Sequence, residues 1–66
     1  MSAVRVRVNG AARELPSATT IEALVATDAR GIAVAVNREV VPRARWPVTV
    51  LREGDEVELV RAMQGG

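Results

Sequence analysis

The chain has 66 residues with nine basic and eight acidic side chains, a net charge of +1, and no cysteine or histidine. A domain this small buries only about 60% of the surface its unfolded chain exposes, and it has neither disulfides nor the usual ligands of a structural zinc to reinforce it. Every basic residue is arginine and tyrosine is also missing, so the common nucleophiles and the common general base are gone, which argues against a self-contained enzyme.

In chain order, Met1-Ser2-Ala3-Val4-Arg5 lacks the apolar run of a signal peptide, and no later stretch has the length of a membrane span. A cytoplasmic location is expected. Val4-Arg5-Val6-Arg7-Val8 alternates strictly, the signature of a half-buried strand with valines inward and arginines outward. Asn9-Gly10 predicts a tight hairpin turn, because both residues tolerate positive φ. Ala11 to Leu15 returns as a second strand, ended by Pro16.

Thr19-Thr20-Ile21-Glu22 reads as a capping box, with Thr19 as N-cap and Glu22 three residues on. Ile21, Leu24 and Val25 then give one apolar stripe for a helix of about ten residues. Asp28 interrupts that stripe, and Gly31 reads as the C-cap, with Arg30 near the negative end of the helix dipole. Ile32-Ala33-Val34-Ala35-Val36 is an apolar run expected to form a strand covered on at least one face. Asn37-Arg38-Glu39 is a turn, and Val40-Val41 a short edge strand stopped by Pro42.

Arg43 to Pro47 is expected to be irregular, with Trp46, the one aromatic, either anchoring it over the core or touching a partner. Val48 to Leu51 gives a brief extended piece, and Arg52-Glu53-Gly54-Asp55 a tight turn. Glu56 to Val60 is the last strand, with Val57 and Leu59 on one face. Residues 1–61 thus read as a single domain and residues 62–66 as a flexible tail.

This order predicts an α+β fold, a mixed sheet of four to five strands with one helix packed across one face. The first and last strands are placed side by side and parallel at its centre. Arg5 and Arg7 then share the uncovered face with Glu56 and Glu58, while Ala33, Ala35 and Val60 leave a shallow apolar spot there. This face reads equally as solvated surface or as a docking patch, for which Arg5, Arg7, Glu58 and Val60 are the candidate contacts. Arginines interleaved with glutamates offer no clustered charge and no stacking rings for nucleic acid.

The sequence closes on Ala62-Met63-Gln64-Gly65-Gly66. Glycine lacks a Cβ, so a backbone ending this way can enter a narrow channel, and five extended residues reach roughly 17 Å. A chain end is also where frayed, functionless residues collect. On the first reading Gly66 carries the chemistry while Met63, Gln64 and Gly65 present it to other proteins. An activated Gly66 would meet no thiol and no lysine within this sequence.

The chain resembles the ThiS family, sulfur carriers of thiamine biosynthesis with a ubiquitin-like β-grasp fold. The resemblance rests on Val8-Asn9-Gly10, Thr20-Ile21, Val34-Ala35-Val36-Asn37 and Glu39-Val40-Val41-Pro42-Arg43 followed by Trp46. It continues through Leu51, Gly54-Asp55-Glu56-Val57-Glu58-Leu59-Val60 and Gln64-Gly65-Gly66. The diglycine and the Gly-Asp-x-Val segment also occur in molybdopterin-synthase small subunits, whereas Val-Pro-Arg-x-x-Trp is more specific.

The resemblance implies that an E1-like adenylyltransferase converts the Gly66 carboxylate to an acyl-adenylate. A sulfur donor such as a cysteine desulfurase then supplies the sulfur of a thiocarboxylate, and thiazole synthase consumes it. ATP and magnesium would belong to the adenylyltransferase, and the free carrier, with no cofactor of its own, would be a monomer. A carrier or protein modifier of another pathway, molybdopterin or transfer-RNA thiolation, is the alternative; a plain interaction module with incidental glycines is the third reading.

Overall fold

The computed structural model describes residues 2–25 and 31–61. The elements are β1 (Ala3–Val8), β2 (Ala11–Pro16), α1 (Ile21–Val25), β3 (Ile32–Val36), β4 (Glu39–Val41), a 3₁₀ segment (Arg43–Val48) and β5 (Glu56–Arg61). They form a five-stranded sheet ordered β2-β1-β5-β3-β4. Only the β1–β5 pair is parallel, so the first and last strands sit side by side with β5 at the centre, as the sequence predicts.

The alternation in β1 does what its period requires. Val6 and Val8 are buried, Val4 is half-buried, and Arg5 and Arg7 are exposed. The Asn9-Gly10 turn takes φ of 51° and 84°, and β2 returns antiparallel from Val8↔Ala11 to Ala3↔Pro16. Leu15 is the buried residue of β2.

The helix begins one residue later than expected. The Thr20 hydroxyl accepts the Ala23 N–H at 3.1 Å and the Thr20 carbonyl accepts the Leu24 N–H at 3.0 Å, so Thr20 is the N-cap. Thr19 is held elsewhere: its hydroxyl donates to the Pro16 carbonyl, and its own carbonyl accepts the Leu51 N–H at 2.8 Å. With Ile21 N–H on the Thr49 carbonyl at 3.0 Å and a bridge between Thr20 and Val50, Thr19 and Thr20 stay paired to residues 49–51 and the helix opens only at Ile21. Glu22 therefore falls one place short of closing a capping box. Ile21 is fully buried, and Leu24 and Val25 pack against the core on the same stripe. The remainder of the expected ten-residue helix, with Asp28 and Arg30, lies outside the described residues.

The segment expected to be irregular is a 3₁₀ turn. Arg45 N–H bonds the Pro42 carbonyl at 2.8 Å and Thr49 N–H the Trp46 carbonyl at 3.4 Å, both three residues apart. Val48 accordingly belongs to this turn and not to an extended piece. The turn drives Trp46 into the core at 3% exposure, where its indole N–H donates to the Val41 carbonyl at 2.9 Å. The Arg43 guanidinium lies 5.7 Å from the ring centroid. Trp46 is thus an anchor. It joins Val6, Val8, Leu15, Ile21, Val34, Leu51 and Val57 in a core built from one sheet face, α1 and the 3₁₀ turn.

Two side chains sit in backbone conformations that suit glycine better. Ala18 has φ of 72°, and Arg38, second residue of the β3–β4 turn, has φ of 70°. A left-handed residue with a Cβ costs roughly 1–2 kcal/mol, of which a glycine's extra unfolded-state freedom cancels part. Ala18→Gly and Arg38→Gly are each expected to stabilise the fold by about 0.5–1 kcal/mol. The urea unfolding midpoint should rise at unchanged slope; a fall would show that these positions are not strained.

Candidate functional site

β5 is the strand that leads to the tail. Period-2 geometry puts Val57 and Leu59 on the core face, so Glu56, Glu58 and Val60 lie on the open one. Along that open face the register pairs Arg7 with Glu56 across the parallel β1–β5 junction and Arg5 with Glu14 across the hairpin. Each arginine therefore has a carboxylate on a neighbouring strand. The backbone N–H of Arg5 also donates to Glu53 Oε1 at 2.9 Å, and its carbonyl accepts the Gly54 N–H at 2.8 Å, fastening the turn before β5 to β1.

Toward the other edge the face becomes apolar. Val60 lies opposite Ala33 and Glu58 opposite Ala35, so Ala33, Ala35 and Val60 share this face as expected from the sequence. Val40 lies opposite Ala35 from β4 and is 71% exposed, with Val60 at 60%. Val40 was not assigned to this spot from the sequence, because Val40-Val41 names no face until its pairing is known. Of the four candidate contacts, the fold brings Glu58 and Val60 beside the apolar spot. It places Arg5 and Arg7 in the charged half of the same face. Met63, Gln64, Gly65 and Gly66 lie outside the described residues.

The start and middle of β5 are held by two asparagines. β1 pairs with β5 only at Arg7↔Glu56 and Val8↔Val57 before turning away at Asn9. The Asn9 backbone N–H still donates to the Val57 carbonyl at 2.9 Å, and its side-chain Oδ1 accepts the Leu59 N–H at 2.9 Å. In a continuing parallel strand, the Asn9 main-chain carbonyl would make that second bond. On the other flank, Asn37 N–H donates to the Glu56 carbonyl at 2.7 Å while its Oδ1 accepts the Glu56 N–H at 3.0 Å. The Asn37 amide is oriented by donating to Asp55 Oδ1 at 3.0 Å, and Asp55 Oδ2 accepts the Arg52 N–H at 2.8 Å. The sequence marks both asparagines only as turn residues.

Among the described residues, no group of three or more carboxylates, cysteines or histidines is placed to hold a metal ion. No helix among them is long and apolar enough to cross a membrane.

The family model described as "ThiS family" matches residues 6–66. The sulfur carrier protein ThiS of Thermus thermophilus is 40% identical over 63 residues, covering 92% of this chain and 98% of that protein. That of Escherichia coli is 36% identical over 36 residues, 54% of each. A thiazole synthase of Paramagnetospirillum magneticum is 32% identical over 66 residues, covering 96% of this chain. The chain spans 20% of the length of that thiazole synthase and about half of the Escherichia coli carrier. Among solved structures, the thiamine biosynthesis protein (ThiS) of Geobacter metallireducens superposes with a TM-score of 0.77 at 28% identity, over 96% of this chain and 100% of that one.

The exposed Arg7–Glu56 pair is expected to contribute little. A double-mutant cycle with Arg7→Ala and Glu56→Ala should give a coupling of about 0.2–1 kcal/mol that shrinks in 1 M salt. A larger, salt-insensitive coupling would mean that the charged half of this face is desolvated.

Proposed function

The chain belongs to the ThiS family of sulfur carriers, and from that membership we propose that its Gly66 carboxylate is charged with sulfur and discharged into the thiazole of thiamine. The observation that carries this reading is the reach of the family match, which runs through Gln64-Gly65-Gly66 to residue 66. The fold is the β-grasp arrangement of its structural relative, and the chain that follows β5 begins at Ala62, directly after the central strand.

The proposed chemistry follows from what a carboxylate needs. It is a poor electrophile and must first gain a leaving group. Attack of the Gly66 carboxylate on the α-phosphorus of ATP, in the site of an adenylyltransferase, releases pyrophosphate and forms the acyl-adenylate. A persulfide fed by a desulfurase then displaces AMP to give an acyl disulfide, and a thiol of the sulfur-donating partner cleaves it, leaving the thiocarboxylate and a disulfide. ATP and magnesium act in the partner. The contribution of this chain is access and inertness: two residues without Cβ at the reacting end, and no cysteine or lysine in the sequence to intercept the activated acyl group. The chain is a carrier protein on which enzymes act.

Thiazole synthase is the proposed acceptor. In support, the thiazole synthase of Paramagnetospirillum magneticum contains a stretch similar to nearly all of this chain. Carrier-like and acceptor sequences are joined in that protein.

Incubation with the adenylyltransferase, ATP and a sulfur source is expected to add about 16 Da, the mass difference between sulfur and oxygen. An unchanged intact mass in the presence of demonstrably active partners would sink the carrier reading. Removing Gly66 should abolish charging while leaving the circular dichroism spectrum and melting temperature nearly unchanged. A large loss of stability would instead assign the tail a structural task.

A further inference from the structure

The two asparagine amides on β5 have the same chemistry but different distances from the tail. Asn37 meets β5 at Glu56, its first residue, and Asn9 meets it at Leu59, two residues before Arg61. On the β1 side, pairing of main chain with main chain stops at Val57. The side-chain rung from Asn9 carries that flank two residues further, to Leu59. We propose that Asn9 is a positioning residue for sulfur charging: its Oδ1 holds β5 at Leu59 and so steadies the end of the strand from which Gly66 is presented. This rests on Gly66 being the charged group.

The residue type fits the task. Position 9 needs a side chain that tolerates φ of 51° and places an acceptor oxygen where the departing main-chain carbonyl would have been. Asparagine meets both requirements, and Gly10, at φ of 84°, completes the turn that lets β1 leave. Glycine at position 9 would keep the turn, since a glycine pair suits it equally, but would leave the Leu59 N–H without that acceptor. Leu59 to Arg61 would then be held on the β3 flank alone, and the looser β1 flank would leave motion that an adenylyltransferase must remove on binding.

The test compares Asn9→Gly with Asn37→Gly, which deletes the equivalent bond at the far end of the strand. The readouts are steady-state adenylation of the full chain with ATP and hydrogen exchange at the Leu59 amide. Asn9→Gly is expected to raise KM for the carrier roughly five-fold at unchanged kcat, the order of one net hydrogen bond. It should also speed Leu59 exchange. Asn37→Gly should lower the melting temperature yet leave both KM and Leu59 exchange as in the wild type. A wild-type KM for Asn9→Gly, or an equal rise for Asn37→Gly, overturns the proposal while the carrier reading stands. A wild-type chain that takes no charge overturns both. Should Asn9→Gly be too unstable to assay, Asn9→Ser, whose shorter side chain leaves the same amide unmet, carries the same expectation.

Discussion

The sheet is organised around a strand that needs partners for longer than its neighbours can supply them. β5 runs from Glu56 to Arg61 at the centre of the order β2-β1-β5-β3-β4. Both flanking strands must turn nearby to reach their own hairpin partners. An N–H left unpaired in the middle of a sheet forfeits its ladder bond. The solution is the same on both sides: an asparagine at φ near 50° keeps its backbone N–H in the ladder and substitutes its amide oxygen for the carbonyl that has swung away. Each such bond contributes about 0.5–1.5 kcal/mol net, and together they let tight turns lie directly against a continuous strand.

The core depends on an analogous economy. Eight buried residues make it up, all apolar, and no polar or charged side chain is buried among the described residues. Two short pieces close it. The extended bridge from Thr49–Leu51 to Thr19–Ile21 fixes the entry of α1 and brings Ile21 and Leu51 inward together. The 3₁₀ turn then lowers Trp46 onto the remaining opening, with its one polar atom matched to the Val41 carbonyl. A domain this small gains more from one large, fully partnered ring than from further loops.

What could be read from the sequence was whatever has a period or a local turn rule. Val4 to Val8 alternates, Asn9-Gly10 is turn chemistry, and Ile21, Leu24 and Val25 repeat at helical spacing; all appear in place. The parallel pairing of first and last strands followed from needing one covered sheet. Other features were not legible because they depend on a partner far along the chain. Thr19 loses the N-cap to Thr20 because Leu51 claims its carbonyl, and a threonine pair carries no mark of that. Val40 reaches the open face only through its pairing with Ala35, next to the Ala33–Val60 pair. The 3₁₀ turn is set by the docking of Trp46, not by propensity, with Pro47 within it. For Gly66 the balance is reversed, since its candidacy rests on the closing glycines and the family match alone.

The two outer strands bear on how such a chain can be used. Exposed sheet edges invite polymerisation. β4 offers three residues before Pro42 removes the next donor, and β2 ends on Pro16 with Arg13 and Glu14 along its length. Both rims are therefore poor templates for another copy. Edge-to-edge growth of the sheet is thereby disfavoured even where the protein is abundant.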